Sequence, residues 1–218
     1  MSRVTLDRPW LAFDLETPHQ VLSWAINRPG LVRARRILWR EVRNTDLPPG
    51  MDVREWFTRQ LAERGDVDAV AFLTSRDIRA FDDIAVEVDG TRARCIATVG
   101  LSNAERIGAR VDRSGKDWGT INIAVQTPMG LSEGAMIEAL AIAAQARTVA
   151  VASVGHALPT GIATGTGTDC IAIAAPAGDV AFAGMHTALG EAIGRAVHDA
   201  VAAGAREWMA TVRREGVI

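Results

Sequence analysis

Ile84-Ala85-Val86-Glu87-Val88-Asp89-Gly90-Thr91-Arg92-Ala93-Arg94-Cys95-Ile96-Ala97-Thr98-Val99-Gly100-Leu101 is the stretch that decides the fold. Ile84, Val86 and Val88 alternate with other residues, the period of a strand with one buried face. Asp89-Gly90 then supplies two residues that tolerate positive φ, and Thr91–Leu101 continues with β-branched residues, so the segment reads as a two-residue β-hairpin. A hairpin commits this part of the sheet to antiparallel pairing.

Working outward toward the N-terminus, short strands are expected at Trp10–Phe13, Val21–Ile26 and Ile37–Val42, punctuated by Pro18, Pro29-Gly30 and Pro48-Pro49-Gly50. Asp52 has the place of an N-cap for a helix to about Arg64, with Val53, Trp56, Phe57 and Leu61 on one face. Val70–Leu73 reads as a short buried strand.

In the other direction, Thr120–Gln126 is a strand and Ser132 caps a helix to about Arg147, with Leu131 and Met136 placed as a hydrophobic staple. Val149–Val154 reads either as a strand or as the end of that helix. A Gly/Thr-rich loop covers Gly155–Thr168, and Cys170–Ala175 is a strand. The last helix runs from about Thr187 to Arg213, with Leu189, Ile193, Val197, Val201, Trp208 and Val212 at helical spacing. Its outer face carries Glu191, Arg195 and Asp199, an ordinary solvated ion-pair ladder, and His198 on that face is read as inert.

A pure βαβ pattern is missing. The expected fold is one α+β domain over 1–218: a mostly antiparallel or mixed sheet system packed by long helices, in the manner of a layered sandwich. It has a strand-rich part over about 1–66 and a motif-bearing part over about 68–213.

Composition narrows the function. A chain of 218 residues with 48% hydrophobic and 23% charged residues can bury a full core without staples. The net charge of −2 argues against a protein built to grip nucleic acid. Lys116 is the only lysine, so lysine chemistry has one candidate, and the lack of tyrosine excludes tyrosine acid–base chemistry. Cys95 and Cys170 form no zinc-ligand pattern and read as buried free thiols. The opening MSRVTLDRPWLAFDLE carries no signal-peptide run, and the apolar segment Ala135–Val154 is interrupted by Glu138, Gln145 and Arg147. The expectation is a cytoplasmic protein with no membrane or nucleic-acid partner, in which a homo-oligomer stays open. Six arginines between Arg28 and Arg43, against Glu41 alone, form either a phosphate-holding patch or a solvated edge strand.

The most unusual stretch is Gly161-Ile162-Ala163-Thr164-Gly165-Thr166-Gly167-Thr168-Asp169. It has no P-loop lysine, and a strand follows it where a phosphate loop would open a helix. It does offer backbone N–H groups, hydroxyls and one carboxylate in a short span, a set that can surround a polar ligand and supply oxyanion donors. The alternative is a tight structural loop whose hydroxyls cap turns. Asn103 and Asn122 lie close to the sheet; Asn122 faces away from Ile121 and Ile123, toward solvent or into a pocket. His19, His156, His186 and His198 show no paired metal-ligand spacing, so no metal site is expected. His156 and His186 are each open as a base, a polar-ligand contact or a structural residue.

Several stretches in order resemble one family, adenosylcobinamide amidohydrolase, an enzyme of corrinoid salvage. They are Val99-Gly100-Leu101-Ser102-Asn103-Ala104-Glu105-Arg106-Ile107-Gly108, Gly119-Thr120-Ile121-Asn122-Ile123, Ala135-Met136-Ile137-Glu138-Ala139-Leu140, Thr164-Gly165-Thr166-Gly167-Thr168-Asp169 and Gly184-Met185-His186-Thr187-Ala188-Leu189-Gly190. The resemblance extends over about residues 68–200. One departure is Gln145, where the family often has an acidic residue. The resemblance implies hydrolysis of the aminopropanol amide of adenosylcobinamide to adenosylcobyric acid, the cobalt belonging to the substrate and no further cofactor being needed.

Amide hydrolysis requires a nucleophile, a proton acceptor and oxyanion donors. No Gly-x-Ser-x-Gly elbow is present, so a base-activated water is the simplest route. The candidate catalytic residues are Asp169 as base, His186 or His156 beside it, and Thr166 and Thr168 as alternative nucleophiles. Gly165, Gly167 and their neighbours are candidate oxyanion donors, and Asn103 and Asn122 candidate partners for corrin amides. Two other readings are a domain that binds a corrinoid or another small ligand without cutting it, and a phosphate binder using the Arg28–Arg43 cluster.

Overall fold

The computed structural model describes residues 3–111 and 119–212. Lys116, and Arg213 at the expected end of the last helix, lie outside the described residues. The strands are β1 Arg3–Asp7, β2 Trp10–Ser23, β3 Gly30–Glu41, β4 Val70–Thr74, β5 Phe81–Val88, β6 Thr91–Val99, β7 Ala104–Glu105, β8 Ile121–Gln126, β9 Ala157–Leu158, β10 Gly161–Ile162, β11 Gly165–Thr166 and β12 Cys170–Ala175. The helices are α1 Val53–Arg64, α2 Glu133–Ser153 and α3 Ala188–Thr211.

The large sheet has the order β4-β3-β2-β12-β8-β6-β5, with β1 added on β2. The hairpin is present: β5 and β6 pair antiparallel from Phe81↔Thr98 to Val88↔Thr91 around Asp89 and Gly90, both at positive φ. β12 runs parallel to β8, and β3 parallel to β4, so the sheet is mixed. The fold is the expected α+β class.

Several elements differ from the sequence reading: β1 and the Gly30–Arg36 part of β3 have no counterpart in it, and two further differences have a clear physical reason. Trp10–Phe13 and Val21–Ser23 are not separate strands but parts of β2, which continues through Pro18 and ends before Trp24, so Trp24–Ile26 of the expected strand lie outside it. The register with β3 shifts between Asp14 and His19, and Glu16 adopts φ 70° with its N–H on Asp14 Oδ1 at 2.8 Å. A proline has no N–H to give a ladder, so it is tolerated at such an irregularity. The shift also lets the two halves of β2 take different partners, β1 along Trp10–Asp14 and β12 along Gln20–Ser23. The second difference is α2, which continues past Arg147 to Ser153, so Val149–Val154 belongs to a helix end. Ala150 and Val151 are fully buried in the core shared with α3, and tertiary packing outweighs the β preference of the valines.

Side chains alternate across the sheet. Ile121, Ile123, Val125, Ile171 and Ile173 pack under α2 and α3. Ala124, Cys170, Ala172 and Ala174 face the other way and join Phe13, Ile37, Trp39, Val70 and Phe72 in a second core. That second core contains side chains from both ends of the strand order, so the sheet curls around it. Asn122 of β8 spans the curl, its Nδ2 donating to the Leu73 carbonyl of β4 at 2.8 Å although the strands are not neighbours. α1 covers the remaining face through Phe57 and Leu61, against Trp10 and Leu38.

Asp52 and Ser132 are the caps the sequence marks, and Thr187, where the last helix is expected to begin, caps α3. Asp52, Ser132 and Thr187 accept from Glu55, Ala135 and Gly190 N–H groups, respectively. α2 is long and apolar enough to cross a membrane by length and composition, but its Ala135, Met136, Ala139, Ile142 and Ala143 face is buried in the α3-facing core. Most of the Arg28–Arg43 cluster is engaged within the fold. Arg35 and Arg36 pair with Asp14, Arg36 also with Asp66, and Arg43 with Glu41. Arg40 lies between the Trp10 and Trp56 rings, at 5.6 and 5.5 Å.

Candidate active site

β6 ends, and β8 and β12 begin, at the same end of the sheet. Four segments meet there: Gly100–Asn103, Gly119–Thr120, the Gly/Thr loop and the second half of α2. β11 pairs with β7, as Gly165↔Glu105 and Thr166↔Ala104, and so fixes the loop against the segment that follows β6. Thr164 fastens it further, its N–H donating to the Glu105 carbonyl at 2.9 Å and its hydroxyl accepting from the Ile107 N–H at 2.7 Å.

Asp169 is the hub. Its Oδ1 accepts from the Ile121 N–H at 3.1 Å and from the Thr166 hydroxyl at 2.5 Å. Its Oδ2 accepts from the Thr166 N–H at 3.0 Å and pairs with Arg147 Nη1. Four donors match the four lone-pair sites of a carboxylate. Burial pushes the Asp169 carboxyl above its ordinary value, while Arg147 and the bonds from Thr166 and Ile121 pull the other way. Gly165 makes the approach possible, since a Cβ there would fall 1.8 Å from Arg147 Nη1 and 2.7 Å from Asp169 Oδ2.

Thr168 lies on the exposed side of the hub. Its hydroxyl donates to the Gly119 carbonyl at 2.8 Å and accepts from Asn103 Nδ2 at 3.2 Å. The Thr120 hydroxyl donates to the Thr168 carbonyl at 2.9 Å. Asn103 is only 7% exposed, and its Oδ1 has no partner among the described residues. A buried amide oxygen without a donor is costly, which makes it a place where a ligand N–H would be welcome.

The structure therefore brings together Asp169, Thr166, Thr168, Gly165, Gly167 and Asn103. It does not bring in the others. Asn122 is 1% exposed, with its Nδ2 on the Leu73 carbonyl and its Oδ1 accepting from the Thr120 hydroxyl at 3.4 Å, so both ends of its amide are engaged and it belongs to the scaffold beside the hub. His156 is buried edge-on against Trp208 at 5.5 Å, with its carbonyl on the Ala163 N–H, beneath the loop and away from solvent. His186 is exposed in the segment that leaves the opposite end of β12. A six-residue strand spans on the order of 17 Å between its ends, which keeps His186 away from Asp169. The Thr166 N–H, one of the expected oxyanion donors, is spent on Asp169, and the Thr168 N–H donates to the Thr166 hydroxyl at 3.4 Å, leaving that role to the Gly167 N–H.

Two residues escaped the sequence reading. Arg147 registered only as a charge interrupting an apolar helix; a lone arginine in such a helix calls for a buried carboxylate, and that signal was available. Trp24, which follows β2, donates its indole N–H to the Asp169 carbonyl at 2.6 Å, and no local pattern announces it. Cys170, next to Asp169, is no alternative nucleophile: burial pushes its thiol up to about 12. Among the described residues no group of three or more His, Cys, Asp or Glu is placed to hold a metal ion. Beyond Gly100 lies a cleft of about 450 Å³ lined by Arg76, Asp77, Arg79, Phe81, Asp82 and Glu207, in which Arg76 pairs with Glu207.

A family model described as adenosylcobinamide amidohydrolase matches residues 1–213. No curated protein matches the chain. Among solved structures, the PH0078 protein from Pyrococcus horikoshii OT3 is 12% identical with a TM-score of 0.42, over 95% of this chain and 85% of that one.

Proposed function

The chain belongs to the adenosylcobinamide amidohydrolase family, and from that premise we propose that it hydrolyses the amide joining aminopropanol to the corrinoid of adenosylcobinamide. The products are adenosylcobyric acid and the free amine. The observation that carries this reading is the family match over residues 1–213 of 218. The polar hub at the Gly/Thr loop supports it with chemistry suited to amide cleavage. Cobalt enters as part of the substrate, and we place the reaction in the cytoplasm without a further cofactor.

In this proposal Thr166 is the nucleophile and Asp169 its base, because the Thr166 hydroxyl donates directly into the Asp169 carboxylate. Thr166 Oγ attacks the amide carbon while its proton passes to Asp169. The tetrahedral oxyanion is held by the Gly167 N–H. Asp169 returns the proton to the leaving nitrogen as the C–N bond breaks. Water, deprotonated by Asp169, then cleaves the Thr166 ester to the carboxylic acid and restores the hydroxyl. Burial favours the neutral carboxyl and so strengthens Asp169 as a proton acceptor. Asn103 Oδ1 is the acceptor for a substrate amide N–H.

The test is incubation of the purified protein with adenosylcobinamide, without nucleotide and with a chelator present, followed by mass spectrometry. The expected result is the carboxylate product and free aminopropanol. Unchanged substrate bound to the protein would favour a corrinoid-binding protein instead.

A further inference from the structure

Trp24 stands apart from the other described tryptophans. Trp10, Trp39 and Trp208 are buried and Trp56 is half-buried against Phe57 and Arg40, whereas Trp24 is 45% exposed. An indole left this open forgoes a large burial free energy. It is also held in place, since its N–H donates at 2.6 Å to the carbonyl of Asp169, the residue that organises the candidate active site. The exposed ring is therefore a fixed surface beside the Gly/Thr loop. Apolar surface continues around it. Leu31, 39% exposed, follows Gly30 and pairs with Leu22 two residues before Trp24, on the same sheet face. On another flank of the loop, exposed Ile107 is tied to Thr164 by its N–H.

We propose that Trp24 is a substrate-binding platform against which the flat conjugated face of a corrin ring lies while the side-chain amide reaches the Thr166–Asp169 pair. This rests on the amidohydrolase reading above. A ligand with a broad apolar plane and a rim of amides matches an open indole with Leu31 on the same sheet face and a buried, unsatisfied amide oxygen at Asn103 of the hub. Because the indole hangs from the Asp169 carbonyl, ring position and loop position are coupled, so Trp24 sets where the ligand lies relative to the reacting hydroxyl.

The test measures corrinoid binding separately from turnover, by ultrafiltration with absorbance of the bound ligand. Aquocobinamide and adenosylcobinamide are compared on wild type, Trp24→Ala, Trp24→Phe and Phe182→Ala, all checked for wild-type melting. Phe182 is 67% exposed at the opposite end of β12 and controls for the loss of any open aromatic. Trp24→Ala is expected to raise Kd about tenfold for both ligands, in line with the worth of one aromatic stacking contact. Trp24→Phe, which keeps a ring but loses the N–H, should stay within about threefold, and Phe182→Ala should match wild type. Equal losses in Trp24→Ala and Trp24→Phe would assign the effect to the N–H tether and overturn the platform. So would unchanged binding in Trp24→Ala, or a loss confined to adenosylcobinamide, which would place adenine on the ring instead. A wild-type protein that neither binds nor cleaves any corrinoid removes the amidohydrolase reading itself, and the platform with it; an active wild type insensitive to Trp24 removes only the platform.

Discussion

The two ends of β12 carry family-like motifs and do opposite physical work. At its start, the Gly/Thr loop turns inward: Asp169 and Thr166 are held by a carboxylate–guanidinium pair, by the main-chain N–H of Ile121 from β8 and by that of Thr166 within the loop. At its finish, the segment carrying Gly184-Met185-His186 turns outward, with Phe182, Met185 and His186 exposed. There the anchoring contact is Glu138 of α2 accepting from the Ala183 N–H at 2.7 Å. α2 serves both ends, Arg147 at one and Glu138 at the other, and nine residues of helix separate them by about 14 Å. Motifs that a linear reading gathers into one site thus divide into a reacting end and a helix-entry end.

The largest effect expected is at the reacting end. Asp169→Asn is nearly isosteric but cannot take the Thr166 proton, and its amide NH2 turns a donor toward two of the four hub donors; its kcat should fall on the order of 10²–10⁴-fold with KM little changed. Thr166→Ala should lose at least as much, and Thr166→Ser should recover part of the activity by restoring the hydroxyl. Steady-state rates on adenosylcobinamide measure both. Near-normal kcat in Asp169→Asn would reduce the hub to scaffold and erase the contrast between the two ends.

Next in size is Arg147→Met, which reads the electrostatics of the hub. Removing the guanidinium leaves a carboxylate in a buried site, and breaking such a pair typically destabilises by about 3–5 kcal/mol. The sign with pH follows from the direction of the shift. Burial already raises the Asp169 carboxyl, and Arg147 lowers it, so the substitution raises it further. A carboxyl whose folded pKa is raised contributes stability below its unfolded pKa and loses it as pH rises through the folded pKa. The deficit of Arg147→Met in thermal melts should therefore be smallest in acid and grow toward neutral pH. In the wild type, kcat/KM should fall on the acid side above the ordinary carboxylate pKa of 3.8, and in the variant that limb should move to higher pH. A limb that stays in place would separate Asp169 from the proton transfer.

Legibility followed the range of the interactions. The hairpin at Asp89-Gly90, the Asp52 and Ser132 caps and the strand Cys170–Ala175 are set by turn chemistry and periodicity within a few residues, and all are where the sequence places them. β2 was read as two pieces because Pro18 is a local stop signal, and only pairing with different strands on its two halves shows why the chain runs through. For the site, the Gly161–Asp169 loop and Asn103 were visible as unusual composition. Arg147 and Trp24 were not, because each meets Asp169 from a distant stretch of chain, 22 and 145 residues away. His156 and Asn122 were read as open to ligand because polarity is visible in a sequence and burial across a curled sheet is not.

The smallest effect expected is at the other end of β12, and it tests the division most directly. His186 precedes the Thr187 cap of α3, is exposed, and stands off from the Asp169 hub by roughly the length of β12, on the order of 17 Å. A general base must come within hydrogen-bond reach of the proton it takes, or within one water of it. No side chain covers 17 Å, so His186 cannot share a proton with Thr166 in this arrangement. His186→Ala should keep kcat within about threefold of wild type, with no change in the acid limb, since loss of an exposed side chain away from the chemistry is close to neutral. The cap itself is made by the Thr187 hydroxyl and the Gly190 N–H at 2.9 Å, so the helix start survives the substitution. A fall in kcat as deep as that of Asp169→Asn would mean that the two ends of β12 meet on one substrate. A corrinoid is large enough to bridge them only if its reacting amide sits at the helix-entry end, and the nucleophile would then have to be sought beside Glu138 rather than Asp169.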